Sequence, residues 1–247
     1  NNDYAEAHHN LSITLLGHDH FEEGWSEFEY RDKTSNNAVH LIHIPNHHHW
    51  DGALADNIEL VIHGEQGLGD EILYGKFFHS LAKKIDPNNV TITCDKRLIS
   101  IYKRTHPEMS FIDRRDVEND FSSKTQIHLG SIGKYFLKDS EDFTKLSNPS
   151  LIVDKDRSRS LKERLSSTGK TICGISWKSQ KNSNNTSRYK SISLVDLLPI
   201  LKKDDYIFVN LQYGNVSEEL EKLTRDTGIK IINLEDIDNF NDIDSLL

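Results

Sequence analysis

Residues 58–75 read IELVIHGEQGLGDEILYG, and the fold turns on how this stretch is read. Ile58, Leu60, Val61 and Ile62 make the short β-branched and apolar run of a strand buried on both faces. Glu71, Ile72, Leu73, Phe77, Phe78 and Leu81 then recur at helical spacing, so the chain passes from strand to helix through a glycine-bearing turn. Gly67 and Gly69 suit a tight turn and the close approach of a ligand to bare backbone, and the first turn of the helix leaves N–H groups without partners inside the helix. Asp70 stands at the helix start, where it either caps the helix or offers a carboxylate at the mouth of a cleft. The turn is not a full GxGxxG, and it lacks the Lys-Ser/Thr of a phosphate-binding P-loop.

Outward from this turn, strands and helices alternate. Residues 90–94, 111–112 and 126–129 read as strands, 96–104 as a helix, and Gly130-Ser131-Ile132-Gly133 as a second flexible turn at the same end of the sheet. A second block follows: a charged helix over 154–165, a strand over 171–177, a long polar and basic loop over 178–190, then helix, strand, helix and strand over 194–201, 206–211, 216–223 and 229–232. Such alternation predicts parallel pairing in an α/β layer fold, with ligands bound beyond the carboxyl ends of the strands. Residues 58–153 are expected to form one Rossmann-like domain, and 154–247 the start of a second, truncated one.

Ahead of the first strand, residues 1–31 read as a helical hairpin. Ala7, Leu11 and Leu15 share one face and Phe21, Trp25 and Phe28 the next, separated by Gly17-His18-Asp19. The pattern AEAHHNLSITLLGHDHFEEGWSEFEYR resembles the last unit of a tetratricopeptide array. One such unit does not bury its own face, so either further repeats precede it or it docks on the domain that follows. The chain does not begin with Met and closes on DIDNFNDIDSLL as a helix starts, and a fragment is the expectation. Residues 32–57 form a polar connector containing Pro45, the run His47-His48-His49, and Trp50-Asp51-Gly52. Three successive histidines do not converge on one point and no cysteine lies nearby, so no metal site is expected there.

Composition narrows the function classes. A formal charge of -9 in 247 residues argues against general nucleic-acid binding. No apolar run is long enough for a membrane span, and no secretory signal opens the chain. Cys94 and Cys173 lie in apolar strand-like runs, which suggests buried free thiols in a reducing cytoplasm.

Five motifs occur in one order: Trp50-Asp51-Gly52, EQGLGDEI at 65–72, GISWKS at 174–179, RYKSISL at 188–194 and VNLQYG at 209–214. Together they resemble the bacterial glycosyltransferases that follow tetratricopeptide repeats, related to the heptosyltransferase and O-linked N-acetylglucosamine transferase groups, and the resemblance covers nearly the whole chain. It implies a GT-B architecture, with an acceptor domain first and a nucleotide-sugar domain second, and inverting, metal-independent transfer from a nucleotide-diphosphate sugar to a hydroxyl of a glycan or protein. It also implies that the helical repeat can recruit a protein partner. Asp70 matches the proposed catalytic base, with Gln66, Gly67 and Gly69 on the substrate beside it; its other role is helix capping. Lys178, Ser179 and Arg188 stand either as phosphate ligands or as a solvated basic loop, and Gln212 either bonds the base or ribose or is a plain turn residue. Trp177 reads as core. Relatives continue into a DTAVAHLAGALG-like run that builds much of the nucleotide pocket, and nothing like it occurs here. The rival from another class is a scaffold protein whose α/β part has no chemistry. An oxidoreductase is disfavoured by the incomplete dinucleotide spacing.

Overall fold

The computed structural model describes residues 4–34, 41–53, 57–116, 120–146, 151–165, 169–179 and 191–247. These divide into two compact units, Asn1–Ile152 and Val153–Leu247. Both are mixed α/β layers.

In the first unit, β1 (Leu60–His63), β2 (Val90–Cys94), β3 (Ser110–Asp113) and β4 (Thr125–His128) form one sheet in the order β3-β2-β1-β4. Every pairing is parallel: Leu60 lies opposite Val90 and Thr125, and Thr91 opposite Ser110. The arrangement is compatible with a Rossmann-like layer. All four residues of β1 are buried, which is why its sequence is a continuous apolar run rather than an alternating one. Between β1 and β2 the chain runs through α3 (Leu68–Tyr74), a 3-10 turn (Gly75–Phe77) and α4 (Phe78–Ala82). Phe78, Leu81, Ile92, Leu98, Ile101 and Tyr102 fill the core beside the sheet, the last two from α5 (Ile99–Thr105). The chain moves outward from β1 to β2 and β3 and then returns to the other side of β1 for β4. The sheet therefore reverses its winding between β1 and β4, the place where a parallel sheet opens a crevice at its carboxyl edge.

The N-terminal helices α1 (Ala5–Gly17) and α2 (Phe21–Phe28) belong to this unit. Phe21, Trp25 and Phe28 are buried as expected, and they pack on the α/β layer: the Trp25 indole N–H donates to Leu137 O at 3.0 Å, and the Phe21 ring meets Phe143 edge-on at 5.4 Å. A Cβ on Gly133 would lie 2.3 Å from the Trp25 ring, so only glycine admits the indole there. The face expected on α1 is corrected. Ala7 and Leu11 are exposed and Leu15 is half-buried, while Ala5 and Ser12 are buried. Small residues at the α1–α2 contact let the backbones approach, with Gly24 against Leu16, and Leu11 is left outside.

The connector is less irregular than its composition suggests. Ile44 and Trp50 are buried, Trp50 N–H donates to Gln126 O at 2.8 Å, and His49 makes a single parallel bridge to Gln126. His47 and His48 sit in a 3-10 turn with ring centroids 4.1 Å apart. Among the described residues no group of three or more His, Cys, Asp or Glu side chains is arranged to hold a metal ion, and no helix is long and apolar enough to cross a membrane.

In the second unit, β5 (Thr171–Ile175) and β6 (Tyr206–Asn210) pair in parallel, Thr171 opposite Tyr206. The expected strand over 229–232 is reduced to one bridge, Val209 to Ile232. Trp177, Leu194, Leu201, Phe208, Val216, Leu220 and Leu223 form the core. Both cysteines are free thiols; Cys94 is buried as expected, but Cys173 is only half-buried.

Candidate functional site

The turn after β1 stands at the reversal point of the first sheet. Gly64 N–H donates to Thr93 O at 2.7 Å, and a Cβ on Gly64 would come within 2.4 Å of that oxygen, so the chain passes against β2 without room for a side chain. The left-handed residue of the turn is Gln66, with φ 58, rather than either glycine expected to supply that freedom. Gly67 is extended, Gly69 lies within α3, and a Cβ added to Gly69 would meet nothing within 4 Å. Asp70 is half-buried, and its carboxylate accepts the Gly67 N–H at 3.0 Å. It thus carries the cap that one reading of the sequence assigned to it, with its second oxygen outside that bond.

Two buried glutamates flank this turn, and neither stood out in the sequence. Glu65 is 0% exposed and takes the Arg31 fork, with Nε at 2.9 Å and Nη2 at 2.8 Å, together with the Gly130 N–H from the loop after β4. Burial opposes ionisation of Glu65, but the Arg31 fork and the Gly130 N–H outweigh it and hold the carboxyl below its ordinary value. Glu71 is equally buried. Its carboxylate accepts Asp95 N–H at 2.8 Å and Arg114 Nη1 at 2.9 Å, while the same Arg114 nitrogen donates to Gln66 O at 3.2 Å. Here burial dominates and pushes the carboxyl up to about 7, against the pull of the Asp95 N–H and Arg114. Asp95 in turn is held at about 2, chiefly by the Arg97 fork. The segment from Gln66 to Asp70 is therefore pinned at both ends by carboxyl groups from which solvent is excluded. Their partners come from α2's following turn, from β2, and from the loops after β3 and β4. Arg31 and Arg114 lie too far away in sequence for any local pattern to have revealed them.

In the second unit the residues flagged in the sequence gather at the carboxyl ends of β5 and β6. Ser176, Trp177, Lys178, Ser179, Ser191, Ile192 and Tyr213 line an open depression. Gln212, 1% exposed, sits beneath it rather than in it: its Oε1 accepts Ser176 Oγ at 3.1 Å, Trp177 N–H at 3.0 Å and Lys178 N–H at 2.9 Å, and its Nε2 donates to Tyr213 O at 3.2 Å. Its amide is committed to shaping the loop. Trp177 is core, as read, and its indole N–H donates to Glu219 at 3.0 Å; Lys178 Nζ pairs with the same carboxylate. Ser179 N–H donates to Ser191 Oγ at 3.1 Å. Arg188 lies outside the described residues. The chemistry available is thus a half-buried carboxylate on a pinned turn in one unit and, in the other, a lysine and hydroxyls around a polar depression.

No protein-family model matches the chain, and no solved structure matches it. Over 239 residues it is 26% identical to Protein FlbA of Caulobacter vibrioides, an alignment that takes in 91% of this chain and 40% of that protein. The chain spans less than half the length of that relative.

Proposed function

We propose that this chain is part of a glycosyltransferase of GT-B type that moves a sugar from a nucleotide-diphosphate donor to an acceptor hydroxyl, with inversion and without a metal. The observation that carries the reading is the pinned turn after β1, which presents one half-buried carboxylate, Asp70, at the carboxyl edge of a parallel sheet beside its reversal point. In this reading Asp70 takes the proton of the acceptor hydroxyl as the C–O bond to the sugar forms, and the bond to the diphosphate breaks with the electron pair leaving on the phosphate oxygen. Gln66, Gly67 and Gly69 line the acceptor side. Lys178, Ser179 and Arg188 serve the diphosphate, which needs cationic and hydroxyl donors as its charge develops. Gln212 serves that site indirectly, by holding the backbone of residues 176–178. Binding of a diphosphate to Lys178 exchanges the Glu219 carboxylate for phosphate oxygens.

A calorimetric titration of the chain with nucleoside diphosphates tests the donor half. Lys178→Ala is expected to weaken binding of the preferred nucleotide by roughly 10-fold or more, the scale of a lost charge-assisted bond. Equal affinity in the variant removes Lys178 from the site, and the absence of binding by any nucleoside diphosphate to the full-length protein refutes the donor assignment.

A further inference from the structure

Arg31 follows α2 in the 3-10 turn Glu29–Lys33, far in sequence from the turn after β1, yet it is 2% exposed and ends inside the reversal point of the sheet. Its fork closes on Glu65, its Nη2 also donates to Ser131 Oγ at 2.8 Å and its Nη1 to Phe28 O at 3.2 Å, and the guanidinium lies 4.5 Å from the centre of the Phe28 ring. Its Nη1 also donates to Glu29 Oε1 at 3.3 Å, so all five N–H groups have acceptors. Buried ion pairs are poor sources of net stability, because desolvation consumes most of the attraction, but a planar fork on a carboxylate fixes geometry. The residue after Glu65 is where geometry matters. Gln66 holds a left-handed conformation, which is unfavourable for a residue with a Cβ, and such a conformation persists only where its surroundings over-determine it. Glu65 fixes the chain on one side of Gln66, and Arg114, donating to Gln66 O, fixes it on the other.

We propose that Arg31, carried by the N-terminal helices, is a positioning residue that sets the Gln66–Asp70 turn through Glu65. The consequence for catalysis rests on the assignment of Asp70 above. The helical pair is then a working part of the acceptor site rather than an appended recruiting module: its aromatic face packs on the segment after β4, and the turn that follows it determines where the carboxylate stands.

The test removes both charges together. Arg31→Met combined with Glu65→Leu keeps the volume and leaves no buried charge, since Glu29 is solvent-exposed, at the cost of the acceptor for Gly130 N–H. Amide hydrogen exchange is then followed at residues 64–71, with residues 90–94 and 110–113 as internal reference. Exchange at 64–71 is expected to rise about 10-fold or more while the reference strands keep their rates. Unchanged exchange at the turn, or an equal rise across the whole sheet, overturns the proposal, since the latter is what a loss of stability alone produces. If the double variant does not fold, Arg31→Lys, which keeps the charge and loses the fork, is read in the same way. In full-length protein whose turnover Asp70→Asn abolishes, Arg31→Lys is expected to lower kcat about 10-fold at unchanged donor affinity, and an unchanged kcat overturns the positioning role. Exchange is measured without turnover, so an inert Asp70→Asn substitution removes the catalytic reading and leaves the coupling of Arg31 to the turn to stand or fall by itself.

Discussion

The turn after β1 and the loop after β5 both leave the carboxyl end of a parallel strand, yet one is held by buried charge and the other by a neutral amide. Around Gln66–Asp70 two glutamates, each 0% exposed, receive arginine and backbone donors from four other segments. Around residues 176–178 a single oxygen of Gln212 accepts three donors, and the nearby ion pair of Lys178 with Glu219 is about one third exposed at both partners. On the proposed function, the difference matches the work each loop would do. A proton-transferring carboxylate has to be held to a fraction of an ångström, whereas a loop that receives a flexible diphosphate needs cations free to exchange partners.

The comparison makes a quantitative claim about what each anchor is worth. Arg31→Ala strands the Glu65 carboxylate in a site closed to water, and urea denaturation is expected to show a loss of about 3–5 kcal/mol. A loss below about 1 kcal/mol would mean that water or a neighbouring group reaches Glu65, and the charged anchor would be no stronger than the neutral one. Gln212→Ala leaves the Trp177 and Lys178 N–H groups without their acceptor, with an expected cost of about 1–3 kcal/mol in the same experiment. Should it match the Arg31 variant, the contrast between the two loops disappears.

A third, smaller effect separates the two glutamates by pH. Glu71 is pushed from 4.5 up to about 7 by burial, so between those values the folded chain keeps a proton that the unfolded chain releases. Its contribution to stability is complete below about 4.5 and is lost as pH rises through about 7. Glu65, held below its ordinary value, behaves in the opposite sense: its contribution is present above the unfolded value and is lost as pH falls through the folded one. The stability of wild type relative to Glu71→Gln is therefore expected to shrink as pH is raised from about 5 to about 7, read from urea midpoints at each pH. A difference that stays constant or grows over that range assigns the raised proton affinity elsewhere.

Much of the layer architecture is legible in the sequence because it depends on local pattern. Leu60-Val61-Ile62 and Val90-Thr91-Ile92 read as strands from their own sequence, and their alternation with helical runs points to parallel pairing. The run over 229–232 carries the same signal, yet it yields one bridge to the outer edge of β6, Val209 to Ile232. The candidate turn stood out in the sequence, and what holds it in place did not. The motif EQGLGDE shows an acid after glycines, but that Glu65 and Glu71 are its anchors depends on Arg31 and Arg114, which only the tertiary structure brings to them. Gln212 read equally as a ligand or as a turn residue, and its burial beneath the loop is invisible until the loop is folded.

The functional assignment is tested most directly by Asp70→Asn in full-length protein, with turnover and donor affinity measured on the same preparation. Asparagine keeps the size of the side chain and an oxygen to accept the Gly67 N–H, so α3 keeps its cap and only the base is lost. Turnover is expected to fall by roughly 100-fold or more while nucleotide affinity is unchanged, the signature of a positioned general base. Turnover within about two-fold of wild type would contradict the assignment and leave Asp70 as a helix cap alone.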